Sequence, residues 1–153
     1  MRSLWFITLL LLTQPSIAPA KWQWTTWNMT PKQVIAASKG TIAFRKVKDP
    51  KGVEKEEVGG SYLAGGRTYD ASFSFENGKL SLVSLQLKNA NSCRYILPDL
   101  KSNYGSPIEE TDGIIPQWIW DDRKNGNRIN ATGIMGDCLL QYQPLPSAKD
   151  SGL

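Results

Sequence analysis

The sequence contains no histidine, only two cysteines, and no apolar run after residue 20 that approaches the length of a membrane span. Histidine is the commonest metal ligand and the side chain that titrates near neutral pH. Its absence excludes Ser-His-Asp and Cys-His catalysis, and it excludes zinc sites that need histidine. The 153 residues are 41% hydrophobic and 21% charged. This length and composition are typical of one compact domain.

Residues 1–20 have the features of a secretory signal peptide. Arg2 precedes an apolar run over residues 4–12, and the segment ends on the small residues 18–20. The run is too short for a stop-transfer helix; the alternative is an uncleaved N-terminal anchor. No cysteine follows the cleavage point closely, so lipidation is not expected. We predict a periplasmic or secreted protein with no membrane span after leader removal.

The charge of the mature chain is mildly positive. Without Arg2, 17 basic residues stand against 14 acidic ones, and in the densest basic stretch, residues 46–57, acidic residues interleave with the lysines. A nucleic-acid-binding protein concentrates its basic residues on one face. We therefore expect no nucleic acid among the partners.

The first helix has the clearest local signal. Thr30 precedes Pro31, and Gln33 follows three residues after Thr30, which is a capping box with proline at the first helical position. Gly40 supplies a left-handed stop. The pattern predicts a helix over residues 31–38.

From residue 41 the apolar period changes to two, which indicates β-strands. One strand begins at Ile42 and the next covers 58–64, with the charged segment 48–57 between them as a loop or a long, mobile hairpin tip. Asn77 and Gly78 are typical of a type I′ hairpin turn. After that turn the apolar residues shift phase, so we predict a β-bulge near residues 82–83.

The second half repeats the order of helix and then antiparallel strands, without a convincing repeat of residues. Apolar residues at three- and four-residue spacing predict a helix over 91–104. Pro98 opposes a regular helix, so we expect either a kink or a start nearer Leu97. Strands are predicted over 117–122, 128–134 and 138–143, followed by a flexible tail over 144–153.

Cys93 and Cys138 are predicted to form a structural disulfide. Cys93 lies on the apolar stripe of the second helix, and Cys138 lies on the apolar face of the last strand. Both therefore point into one core, and the expected compartment is oxidising. The alternative, a redox-active pair, lacks the C-x-x-C spacing.

No catalytic constellation is recognisable. The paired carboxylates Glu109-Glu110 and Asp121-Asp122 are adjacent in sequence, so they point to opposite faces of a strand or lie in solvated turns. General acid and base catalysis needs two carboxyls at a controlled separation in a shielded cleft. We predict no enzymatic activity, no catalytic residue, no metal site and no cofactor.

Four tryptophans leave two alternatives open. Trp22 and Trp24 alternate as on a short strand with one buried face, and Trp118 and Trp120 share one strand face. They pack in the core if both sheet faces are covered. Displayed on an open face, they are a candidate partner surface.

The run 27–34, W-N-M-T-P-K-Q-V, resembles the W-G-M-[ST]-x-x-[EQ]-V opening of many small exported bacterial proteins. These are similar to the outer-membrane small-lipoprotein and β-lactamase-inhibitor-protein fold group. The run 100–107, with Leu100, Tyr104, Gly105 and Pro107, looks like the end of the second helix in such proteins. The resemblance implies short helices laid across a curved antiparallel sheet.

We therefore predict an α+β fold, with two short helices packed on a curved, mostly antiparallel sheet of about six to seven strands. Residues 1–20 are the signal peptide, 21–143 one domain and 144–153 the tail. The expected function is a non-enzymatic, macromolecule-binding module whose partner is another exported or envelope protein.

Two alternative functions remain. One is a secreted inhibitor of a hydrolase such as lysozyme or β-lactamase, acting through the segment 48–57. The other is a lipid- or sugar-binding protein, or a small hydrolase, with a pocket beneath the tryptophans.

Overall fold

The computed structural model describes residues 20–87 and 92–146. The predicted leader up to residue 19, and the predicted tail from residue 147, lie outside the described residues. The elements in chain order are β1 (Lys21–Trp22), β2 (Thr25–Thr26), α1 (Pro31–Ala37), β3 (Ile42–Lys48), β4 (Glu54–Ala64), β5 (Arg67–Glu76), β6 (Lys79–Leu87), α2 (Ser92–Tyr104), β7 (Glu109–Thr111), β8 (Gln117–Asp122), β9 (Asn127–Ile134) and β10 (Asp137–Pro144).

Eight of the strands form one antiparallel sheet in the order β3-β4-β5-β6-β10-β9-β8-β7, and β1 pairs only with β2. The predicted α+β class with two helices on an antiparallel sheet is confirmed. The predicted count of six to seven strands is too low. Strand β7 went unpredicted because all three of its residues are exposed, so no apolar alternation indicates it.

Each half of the chain contributes one helix and then four strands to this sheet. Helix α1 precedes β3–β6, α2 precedes β7–β10, and the last strands of the two halves, β6 and β10, pair in the middle. Helix α1 contacts β3, while α2 contacts β8, β9 and β10. Each half thus carries its own helix.

Local signals in the first half place the elements well. Helix α1 ends one residue before the predicted boundary, and the side-chain oxygen of Gln33 accepts the backbone N–H of Thr30 at 2.8 Å. Asn77 and Gly78 have the positive φ angles, 50° and 73°, that a type I′ turn requires. Both predictions are confirmed.

The predicted bulge exists but lies closer to the turn. Phe75 pairs with Leu80, whereas Ser74 already pairs with Leu82, so Ser81 is the extra residue. Its hydroxyl donates to the backbone oxygen of Ser74 at 3.2 Å. The insertion restores a common apolar face along β6, as the phase shift in the sequence requires.

Of the two alternatives for the segment 48–57, a loop or a long hairpin tip, the structure shows a hairpin, and its tip is shorter than predicted because half of the segment is strand. Lys48 pairs with Glu54, which leaves only residues 49–53 as the hairpin tip. The side chain of Asp49 closes the tip by accepting two backbone N–H groups, each at 2.9 Å. The alternating charges reflect pairing, because opposite charges face each other across the two strands.

Helix α2 continues from Ser92 to Tyr104 with Pro98 inside it, so a start nearer Leu97 is wrong. Residues one turn apart on its inner face, Cys93, Ile96 and Leu100, are buried. Burial of this apolar face stabilises the helix despite the missing backbone N–H of proline.

The start of the predicted tail is attached to the sheet. Pro144 pairs with Asn127, and the N–H of Leu145 donates to the oxygen of Gly126 at 2.9 Å. The ordered pairing therefore extends past the predicted boundary at residue 143.

Across the described ranges, no helix is long and apolar enough to span a membrane.

Candidate functional site

The predicted disulfide is present. Cys93 of α2 and Cys138 of β10 are bonded, with their Cα atoms 4.8 Å apart. Cys138 is completely buried. The bond therefore ties the second helix to a central strand of the sheet, and this prediction is confirmed.

The tryptophans lie in the core, and the predicted partner surface of Trp22, Trp24, Trp118 and Trp120 is not exposed. Trp22, Trp118 and Trp120 are 3%, 9% and 1% exposed, and Trp24 packs against the core. Trp22 and Trp24 also do not share a strand, because the turn between β1 and β2 falls at Gln23 and Trp24. The short hairpin turns both rings onto the helix-covered face of the sheet.

Hydrogen bonds hold the indole rings in place. Trp118 donates to a carboxylate oxygen of Glu110 at 2.7 Å, and Trp120 donates to the backbone oxygen of Gly105 at 2.9 Å. A buried indole N–H needs such a partner. The bonds fix both rings relative to the segment between α2 and β8.

A groove with a volume of about 710 Å³ lies beside α2. One wall is a single face of the helix, formed by Arg94, Leu97, Pro98 and Lys101. These positions recur at three- and four-residue spacing, so they follow one another along the helix surface. We call this cavity the α2 groove.

The opposite wall comes from the sheet and two loops. Trp118 lies in β8, Pro116 and Ile114 lie in the loop before it, and Met135 lies in the turn between β9 and β10. The N–H of Gly133 donates to the backbone oxygen of Pro116 at 2.9 Å, which brings the loop and the turn together.

The lack of a side chain at Gly133 allows the loop before β8 to lie close to β9. A Cβ atom there would lie 3.0 Å from Cγ of Pro116, tighter than ordinary van der Waals contact. The absence of a side chain lets the proline ring lie against β9 and form part of the wall.

Large apolar side chains stand exposed around the groove. Ile114 and Met135 are fully exposed, and Ile115 is 61% exposed. Both loops lie at the same end of the sheet, because Gln117 at the start of β8 pairs with Thr132 near the end of β9. Contiguous exposed apolar surface of this kind marks interaction sites.

Three charged side chains line the same groove. Arg94 and Lys101 lie on α2, and Asp137 begins β10. Lys101 Nζ is 3.9 Å from a carboxylate oxygen of Glu110, and Asp137 accepts a hydrogen bond from Gln86 at 3.1 Å. The groove thus combines an apolar floor with few polar groups, as small-molecule sites do.

Both carboxylates of the Asp121-Asp122 pair have structural partners. Asp121 forms an ion pair with Arg128 at 2.9 Å, and Asp122 accepts bonds from the backbone and side chain of Asn125 in the turn between β8 and β9. Within residues 20–87 and 92–146, no group of three or more potential ligand side chains could hold a metal ion.

A second, smaller cavity of about 170 Å³ lies under the other end of α2. Four tyrosines line it: Tyr62, Tyr69, Tyr104 and Tyr142. Burial raises the pKa of each hydroxyl above its ordinary value, most strongly for Tyr142. These hydroxyls are therefore neutral at physiological pH.

No known protein family, curated protein or solved structure shows a significant match to this chain. The resemblance of residues 27–34 and 100–107 to exported bacterial proteins therefore stays a prediction. Sequence reasoning missed the α2 groove, although Ile114-Ile115-Pro116 between polar residues was a visible sign of an exposed apolar loop.

Proposed function

We propose that the protein is an exported, non-enzymatic binding protein that holds a small amphipathic molecule in the α2 groove. The observation that carries this proposal is the groove itself, whose apolar walls include fully exposed isoleucine and methionine side chains.

The size and chemistry of the groove favour a small ligand. Its volume of about 710 Å³ lies within the range of about 300–1,000 Å³ that is usual for small-molecule sites. Most of its lining is apolar, and its few charged groups lie on α2 and at the start of β10. An extended apolar chain with one polar group has matching chemistry.

Ligand binding would also cover apolar surface that is costly to expose. Burying a side chain such as Ile114 or Met135 contributes about 1.5–3 kcal/mol relative to leaving it in water. This gain requires the ligand to contact both loops. The tryptophan surface that a macromolecular partner would have used is buried, so the pocket alternative is better supported.

Two observations support export. The leader pattern of residues 1–20 and the disulfide both agree with an oxidising compartment. A binding protein there would meet lipids and their breakdown products, which are amphipathic.

The test is a titration of the exported protein with dodecanol, followed by tryptophan fluorescence, since Trp118 lines the groove. We expect saturable binding, and Ile114→Asp and Met135→Asp should each weaken it at least about tenfold, about 1.4 kcal/mol. Leu63→Asp is the matched control, because Leu63 is exposed on β4 and does not line the groove. Equal loss in all three variants, or no binding at all, would refute the proposal.

A second candidate, a hydrolase inhibitor, has one observation in its favour. Pairing of β4 with β5 begins at Val58, so the strand residues 54–57 pair with β3 and not with β5. A hairpin end that lies outside the neighbouring ladder is the element that would contact an enzyme. Titration against lysozymes and β-lactamases would dismiss this candidate if no enzyme loses activity.

A further inference from the structure

We infer that the α2 groove selects ligands whose polar group is an anion, such as a carboxylate or phosphate on a single alkyl chain. This inference rests on the proposed function and adds the charge of the ligand to it. The inference is based on the charge of Arg94 and on its position in the lining of the groove.

Arg94 lines the groove, and its charge has no acidic partner among the residues that the structure describes. The guanidinium offers five N–H donors in a planar fork that matches carboxylate and phosphate oxygens.

The position of Arg94 in the helix is electrostatically unfavourable on its own. It lies in the first turn of α2, which contains no acidic residue. The positive end of the helix dipole disfavours a cation there and favours an anion. Helix stability therefore does not account for Arg94. An anion bound beside it would interact favourably with both the guanidinium and the positive end of the helix dipole.

The remaining wall of α2 suits an alkyl chain. Leu97 and Pro98 follow Arg94 along the groove, and Lys101 lies seven residues further, about 10 Å along the helix axis. A chain whose head group binds Arg94 would pass over the leucine and proline. Lys101 would then stand beside the far part of the chain.

The acidic groups near the groove are already engaged. Asp137 accepts a hydrogen bond from Gln86, while Glu110 accepts one from Trp118 and lies near Lys101. Within the described residues, neither carboxylate forms an ion pair with Arg94. A cationic ligand would have to compete with the contacts that these carboxylates already make, and an anionic ligand would not.

The experiment compares the binding of three ligands of equal chain length to the exported protein: dodecanoate and dodecyltrimethylammonium below their micelle concentrations, and dodecanol below its solubility limit. We expect dodecanoate to bind at least about tenfold more tightly than dodecanol, and the ammonium compound to bind no more tightly than the alcohol. Equal affinity for all three would overturn the anion preference and leave the proposed function intact. Binding of none would overturn both.

Variants of Arg94 separate its charge from its packing. Arg94→Gln should reduce dodecanoate affinity to that of dodecanol while changing dodecanol affinity less than about twofold, and Arg94→Lys should restore part of the preference. Lys32→Gln is the matched control, because Lys32 is an exposed cation on α1 outside the groove. An unchanged preference in Arg94→Gln would overturn the role of this residue.

Two kinds of molecule carry such an anionic group on an alkyl chain: a free amphiphile and a membrane lipid. Flotation with vesicles of zwitterionic lipid, alone or mixed with anionic phospholipid, distinguishes them. Capture by anionic vesicles that Arg94→Gln abolishes supports a lipid head group, and binding of monomeric dodecanoate alone supports a free ligand. Equal capture by both vesicles would contradict selection of an anion.

Discussion

At the scale of single residues, the tyrosine hydroxyls between α2 and the sheet are the clearest case of an environment that changes chemistry. Tyr142 is buried, and this burial raises the pKa of its hydroxyl well above the ordinary value of 10.0. Nearby hydroxyls, above all that of Tyr104, add to the effect. The folded protein thus holds the Tyr142 proton more tightly than the unfolded chain.

This difference makes stability depend on pH in the alkaline range. A raised pKa contributes stability that is fully present below about pH 10 and is lost as the pH rises toward the pKa of the folded state. Urea unfolding between about pH 8 and about pH 11 should therefore show a falling free energy of unfolding. Tyr142→Phe should flatten that fall.

Tyr95→Phe is the control for this measurement, because Tyr95 is an exposed tyrosine on α2. It should keep the wild-type pH dependence. If Tyr142→Phe loses stability as steeply as the wild type, the buried hydroxyl does not contribute.

The sequence alone does not determine whether the tryptophans are buried or exposed. Alternation placed Trp118 and Trp120 on one strand face, which is correct, but it could not say whether that face is covered. Coverage depends on α2 and on the segment that follows it, which supplies the partners of both indole N–H groups. Those contacts are tertiary, so no local pattern contains them.

At the scale of elements, α2 continues without interruption from Ser92 to Tyr104 although Pro98 lies inside it. An interior proline costs about 3 kcal/mol relative to alanine in a helix, because it removes a backbone hydrogen bond and crowds the preceding turn. Pro98 also forms part of the wall of the α2 groove. Its place in the helix is therefore better explained by the groove than by helix stability.

We expect Pro98→Ala to raise the free energy of unfolding by about 1–3 kcal/mol and to weaken dodecanoate binding. Chemical denaturation and fluorescence titration on the same preparation would measure both effects. A loss of stability would mean that packing of the proline ring outweighs its cost to the helix.

The elements that the sequence predicts well are those determined by interactions between neighbouring residues. The cap at Thr30, the Asn77-Gly78 turn and the phase shift along β6 each depend on a few neighbouring residues, and each lies within two residues of its predicted place. The α2 groove was missed for the opposite reason. Its far wall forms only because β8 and β9 pair in one register, which brings two distant loops together.

At the scale of the whole molecule, the disulfide stabilises only one half directly. It closes a span of 45 residues within the second half, from α2 to β10. In the chain-entropy model, a loop of this length stabilises the folded state by about 4 kcal/mol. Replacement of both cysteines by alanine should lower the free energy of unfolding by about 2–5 kcal/mol.

Calorimetry of the double variant would measure this loss, and ligand titration would show whether the groove survives, since Cys93 also lines it. A thermal midpoint equal to that of the wild type would show that packing alone holds α2 on the sheet. Single replacements are unsuitable controls, because each leaves a reactive thiol.

The duplicated order of elements has one more consequence, for a chain cut between Leu87 and Ser92. The first piece would carry β3–β6 and the second β7–β10, and the sulfur bridge would lie wholly in the second. No covalent link would then remain between the pieces. The ladder of β6 with β10, the shared apolar interior, the hydrogen bond of Trp27 to Asn127 and the ion pair of Arg67 with Asp99 would keep them associated without a covalent bond, so the nicked protein would come apart on dilution, like a heterodimer.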